Sequence, residues 1–146
     1  MKKIICLIVF GLSGLSAESA FDELFEKYST QYDVPKELLI AIAQTESGFD
    51  PWATNKNTNG TFDIGLMQIN TVHLPKLRSI GLKAQDLYRP DVNIAFSAYI
   101  LSTCFDKHGF NWRGLNCYNG RIANNPYFIK VLKNLIKAMP DQSSER

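Results

Sequence analysis

Histidine, cysteine and surplus charge are all scarce in this chain of 146 residues. His73 and His108 are its two histidines, and neither combines with Cys6, Cys104 or Cys117 at ligand spacing. No metal site is expected, and each histidine reads as a surface or capping residue. Long apolar runs are also missing. The most apolar stretch, Ile4 to Leu15, has 12 residues, where a bilayer span takes about 20. Lys2 and Lys3 precede that stretch, and all 14 acidic residues follow residue 17. Without Lys2 and Lys3, 14 basic residues face 14 acidic ones. That balance leaves no basic stripe for nucleic acid and no polybasic membrane footprint. No internal repeat and no low-complexity linker is visible. The hydrophobic fraction of 45% and charged fraction of 21% argue against disorder and fit one globular domain.

What is present begins with a leader. Lys2-Lys3, a short greasy core and small residues from Ser13 to Ala20 read as a secretory signal peptide, residues 1–19, cut between Ser16 and Ala20. The expected product is an exported, periplasmic domain over 20–139 with a frayed tail at 140–146, and no stable membrane span. Cys6 leaves with the leader. Cys104 and Cys117 remain, an even count that favours one disulfide in an oxidising compartment, the other reading being two buried thiols. The closed loop of about 14 residues would be worth on the order of 3 kcal/mol.

Apolar residues at Phe21, Leu24, Phe25, Tyr28 and Tyr32 recur with a helical period. Pro35 suits the start of a second helix, whose stripe is Leu38, Leu39, Ile42 and Ala43, and Gly48 and Pro51 end it. Residues 51–63 are rich in Asn, Thr and Gly and read as a loop, with a short hairpin at Asn59-Gly60. Further helices are expected over 90–103 and 126–139, with a broken aromatic stretch at 109–120. Strand signals are scarce, so the class is mainly α.

Glu46 is the most informative residue. It lies three, four and seven residues after Ala43, Ile42 and Leu39, so it continues the apolar stripe. It also sits in the last helical turn, where the helix dipole disfavours a negative charge. Burial adds to this by raising a carboxyl pKa. Both effects would hold a proton near neutral pH, as protonation of a glycosidic oxygen requires. The plainer reading is a helix-end glutamate turned to solvent.

Three motifs then occur in order. Glu46-Ser47-Gly48-Phe49-Asp50-Pro51 resembles the Glu-Ser signature of lytic transglycosylases. Gly65-Leu66-Met67-Gln68-Ile69-Asn70 resembles that family's second signature, and Tyr118-Asn119-Gly120 its third. Asn125 to Leu132, with Tyr127 and Val131, resembles the helix that follows. The resemblance runs from about Phe21 to Lys137. It is strongest to the small enzymes that accompany type III and type IV secretion and pilus assembly.

The resemblance implies a lysozyme-like single domain (mainly α within an α+β superfamily) with a glycan-binding groove. It implies cleavage of the peptidoglycan bond between N-acetylmuramic acid and N-acetylglucosamine, with a 1,6-anhydro product. Glu46 would be acid and then base, and no cofactor would be needed. Gln68, Asn55 and Asn70 would contact sugar or N-acetyl groups, and Met67 would pack on a ring face. Tyr118 would orient Glu46 through its hydroxyl, Asn119 would shape the groove wall, and Ser47 would cap the helix end beside the substrate. The implied partners are glycan strands and components of a secretion or pilus apparatus.

The sequence departs from the family pattern at three places. Asn55 replaces a common serine nine positions after the acid, and Cys117 replaces an alanine. Asp63 lies 17 residues after Glu46, the separation of the acid and second carboxylate in lysozyme. It is either a second carboxylate stabilising an oxocarbenium-like state or a turn-forming aspartate. Two other functions compete. A hydrolytic muramidase would need the same acid. A silent glycan-binding or assembly module would be marked by loss of the acid, yet Glu46 is present.

Overall fold

The computed structural model describes residues 19–138. The leader, apart from Ser19, and the tail lie outside the described residues. A 3-10 turn, Ser19–Phe21, leads into six α-helices: α1 Asp22–Tyr32, α2 Lys36–Glu46, α3 Leu74–Ser79, α4 Pro90–His108, α5 Trp112–Tyr118 and α6 Tyr127–Ala138, with further 3-10 segments at Thr71–His73 and Ala84–Tyr88. Three short strands, β1 Thr54–Lys56, β2 Phe62–Ile64 and β3 Ile69–Asn70, form an antiparallel sheet in sequence order. The mainly helical class expected from the sequence is the observed one.

Helix α2 is the core helix. Leu38 to Ala43 are all buried, not only the residues of one stripe. A helix apolar on all sides needs cover on all sides; α1 flanks α2 on one side and α6 on another. Helix α4 packs on α1 and α5 and buries Ile94, Phe96, Ala98, Ile100 and Leu101. Asp33 adopts a left-handed conformation (φ 52°) at the end of α1. Its N–H bonds the Ser29 carbonyl, which closes the helix before Pro35.

Three expectations are corrected. Helix α4 runs to His108 rather than 103, because Phe105 still packs on the core and Gly109 (φ 82°) supplies the stop. The stretch 109–120 holds α5, which Asn111 caps by accepting from the Arg113 N–H. The region after residue 53 is a sheet of three strands rather than a lone hairpin. Its strands are too short and polar to show a period. Side-chain bonds among Asn57, Thr61, Asp63 and Asn70 knit them together instead.

Cys104 in α4 and Cys117 in α5 are bonded, with Cα atoms 5.8 Å apart. No helix of the described residues is long and apolar enough to cross a membrane. No cluster of His, Cys, Asp and Glu suited to a metal occurs among them.

Candidate active site

Glu46, at the last residue of α2, opens into a polar groove of about 770 Å³. The sheet forms one wall with Asn57, Asp63 and Asn70. The end of α5 forms another with Tyr118, Asn119 and Arg121. Two other hollows are apolar, one around Tyr28 and Tyr99 and one around Phe105 and Trp112.

Glu46 is half-buried. Burial pushes its carboxyl pKa up to about 7, with the charge of Asp63 adding to the rise. Two groups oppose it: the Tyr127 hydroxyl, which donates to Oε1 at 2.6 Å, and the charge of Lys130. The acid is therefore poised to give and regain a proton near neutral pH. Burial holds Tyr127 and Tyr118 well above the usual tyrosine range, so both remain donors.

The sequence expectation assigned the orienting hydroxyl to Tyr118, and the structure corrects this. The Tyr118 hydroxyl donates to the Met67 carbonyl at 2.9 Å and takes a bond from buried Ser97 at 2.8 Å. Tyr118 thus holds the 65–68 turn, and Tyr127 holds Glu46. The two rings stack with centroids 6.3 Å apart, so the pair forms one support behind the acid.

Met67 is also corrected. It is fully buried and cannot touch a sugar ring from the groove. Its N–H donates to Oδ1 of Asn93 at 2.7 Å. Asn93 gives its two amide protons to the carbonyls of Ile64 and Leu87. This buried amide fixes the turn that carries Gln68. Gly65 (φ 80°) is required there, since a Cβ would collide with the Leu87 carbonyl and the Asn93 amide. Asn93, Ser97 and the role of Tyr127 escaped the sequence reading. The available signal was a polar residue recurring at i, i+4 within the apolar run of α4.

The sheet register sets Asn55, Asp63 and Asn70 in one row. Residues paired this way share a face. Both Asp63 oxygens are engaged, Oδ1 by Asn70 at 2.6 Å and Oδ2 by Asn57 at 2.9 Å. Two amide donors therefore hold the Asp63 carboxyl group in a fixed orientation. Gln68 lines the groove with both amide protons spent on Ala53 and Gly65 carbonyls and its oxygen bonded by Asn55. It can still accept, but not donate. Asn55 does not line the groove and acts through Gln68. Ser47 lies off the groove too: its hydroxyl donates to the Leu66 carbonyl at 2.7 Å and takes the Asp50 N–H, tying the acid's turn to the second motif. Asn119 lines the groove and accepts from Asn125. His73, expected as a surface or capping residue, stands at the N-cap position of α3 without a side-chain cap bond and is half-buried in the groove wall against Phe96, where burial lowers its pKa.

A family model described as Transglycosylase SLT domain matches residues 23–128. The chain belongs to the SLT transglycosylase family. The match takes in every groove residue named above. Curated relatives include the Invasion protein IagB of Salmonella typhi, 35% identical over 106 residues (72% of this chain and 66% of that protein). Protein IpgF of Shigella flexneri is 36% identical over 98 residues (66% of this chain and 64% of that one). The matched stretch thus spans just under two thirds of these relatives. The 70 kDa soluble lytic transglycosylase of Escherichia coli superposes with a TM-score of 0.54 at 27% identity, covering 82% of this chain and 20% of that one. Its complex with bulgecin A gives a TM-score of 0.57 at 28% identity, covering 80% and 19%. The mainly helical fold expected from the resemblance is observed, and it is shared with these transglycosylase structures.

Proposed function

We propose that this SLT domain is an exported lytic transglycosylase that cleaves peptidoglycan glycan strands between N-acetylmuramic acid and N-acetylglucosamine. The carrying observation is Glu46, held near neutral pKa by burial and by Asp63, bonded to Tyr127, at the edge of a polar groove. In the first step Glu46 donates its proton to the glycosidic oxygen as that bond breaks. The muramyl C1 gains oxocarbenium character, and the fixed charge of Asp63 stabilises it. In the second step the Glu46 carboxylate takes the proton of the muramyl O6 hydroxyl while that oxygen bonds C1. The anhydro ring closes and the acid is regenerated without water.

Gln68 and Asn119 are the groove groups that would receive sugar hydroxyls and N-acetyl groups. The periplasm is the proposed compartment. The proposed role is local opening of the wall for a secretion or pilus apparatus, in keeping with the resemblance of the second motif.

The presence of Asp63 favours a second reading, a hydrolytic muramidase, in which water attacks C1. Mass spectrometry of muropeptides released from purified sacculi separates the two: anhydro ends are expected, and reducing ends would establish hydrolysis. A wild-type protein that binds sacculi and releases no muropeptides would instead leave a glycan-binding assembly module, and clearing that survives Glu46→Gln unchanged would remove Glu46 as the acid. Asp63→Asn is expected to lose activity; near-wild-type clearing would return Asp63 to a turn residue.

A further inference from the structure

The near-neutral balance of the domain conceals a segregation of charge. Residues 107–138 carry six cations, Lys107, Arg113, Arg121, Lys130, Lys133 and Lys137, and no acid. Over residues 19–106 acids outnumber basic residues, 11 to 7. An apolar hollow of about 540 Å³ lies on the basic side, lined from α5, α6, the end of α4 and the start of α2. Leu38, Leu115 and Val131, all buried, form its floor. Its rim is exposed: Phe110 at 69%, Trp112 at 47% and Leu132 at 40%. Helix α6 extends that rim. Tyr127 and Val131 are its buried residues, while Ile129 and Ile136, both exposed, adjoin Leu132 at i−3 and i+4. The apolar face of α6 is thus wider than the core beneath it uses.

Cations border the opening. Lys133 follows Ile129 by four residues and precedes Ile136 by three, so it stands beside the exposed strip. The Arg113 guanidinium lies 5.7 Å from the centroid of the Trp112 ring. Both cations are exposed, and the ion pairs among the described residues lie elsewhere, at Lys36 and Arg89. Glu37 is the one acid that lines the hollow. Shape and charge together select the occupant. A second copy would bring the same cations against these. The leader's apolar run follows Lys2 and Lys3, and the tail beyond Ala138 offers only Met139 and Pro140 as apolar residues. A flat anionic bilayer would touch the rim and leave the hollow unfilled. A helix with an apolar stripe fills the hollow with side chains and sets acids against Arg113 and Lys133. We propose that this hollow is the docking site for an acidic amphipathic helix of a partner protein. It shares no lining residue with the Glu46 groove, so the partner holds the domain while the groove stays open.

The probe is a labelled helical peptide of about 15 residues, with leucines at i, i+3, i+4 and i+7 and glutamates on its other face. Its controls are a scrambled peptide of the same composition and a version with lysine for each glutamate. Fluorescence anisotropy should show saturable binding of the patterned acidic peptide, about tenfold tighter than either control. The double variant Arg113→Glu, Lys133→Glu changes two exposed side chains, and thermal melts confirm its folding. It should lose about tenfold in affinity for the acidic peptide and gain about tenfold for the lysine version. Leu132→Asp should weaken both. Clearing of sacculi should be unchanged in both variants, so the proposed wall-cleaving activity is read separately. No binding, equal binding of patterned and scrambled peptides, or binding that the charge reversal leaves in place overturns the proposal. So does binding to phosphatidylglycerol vesicles without binding to the peptide, which would make the face a membrane contact. A dimer in sedimentation that Leu132→Asp dissolves would give the face to a second copy and overturn it equally.

Discussion

Tyr127→Phe removes one oxygen from the site and little else. The ring still stacks beside Tyr118, and its burial is unchanged in kind. What is lost is the 2.6 Å bond to Glu46. That hydroxyl favours the ionised carboxylate and so holds the pKa below what burial alone would give. A hydrogen bond to a charged group is worth about 1.5–3 kcal/mol. Glu46 is half-buried, so water replaces part of the bond and the lower end applies. The proton affinity of Glu46 should then rise about tenfold. The assay is the pH dependence of kcat/KM for clearing of purified sacculi. In wild type the first step needs protonated Glu46, so activity should fall as pH rises through about 7. In Tyr127→Phe that alkaline limb should move about one pH unit higher, with a lower plateau because the carboxyl is less well oriented. An alkaline limb that stays in place or moves lower would refute the assignment of Tyr127 as the partner of the acid.

The same raised pKa bears on stability. The folded state holds the Glu46 proton up to about 7, against the ordinary value of 4.5, so stability is lost as pH climbs from 4.5 through 7. Glu46→Gln should therefore stabilise the fold at pH 8 but not at pH 4, by about 1–2 kcal/mol after allowance for solvent reaching a half-buried group. Calorimetry at the two pH values would show it, and an equal effect at both would count against it. Reducing the Cys104–Cys117 bond should cost about 3 kcal/mol and lower Tm by about 10 °C, and clearing should fall with it because α5 carries Tyr118; unchanged melting on reduction would show the bond to be dispensable. Asn93→Ala strands three buried backbone groups and should cost about 3 kcal/mol or more, read as a lower denaturant midpoint; a loss under 1 kcal/mol would mean that the turn satisfies itself.

Much of the helical frame was legible because its signals are local. The α1 and α2 patterns are apolar residues at helical spacing, and Pro35 and Gly48 mark real boundaries. Glu46 was legible because a carboxylate on an apolar stripe contradicts the pattern around it. The three polar strands were not. Their backbone pairing is reinforced by amide and hydroxyl contacts among Asn57, Thr61, Asp63 and Asn70, which no periodicity reports. The exchange of roles between Tyr118 and Tyr127 was also out of reach. Both are tyrosines near the same acid, and only the docking of α6 on α2 decides which hydroxyl arrives. Met67 misled because its motif neighbours line the groove while it points the other way, into the core.

Glu46 and Tyr127 stand 81 residues apart in the chain and are joined by one bond. A chain emerging from its amino end presents the acid early and the hydroxyl late. Until the sixth helix closes on the second, the site has a carboxyl with neither its burial nor its partner. On the proposed wall-cleaving reading, an unfinished chain cannot yet cut, and competence arrives only when folding is complete.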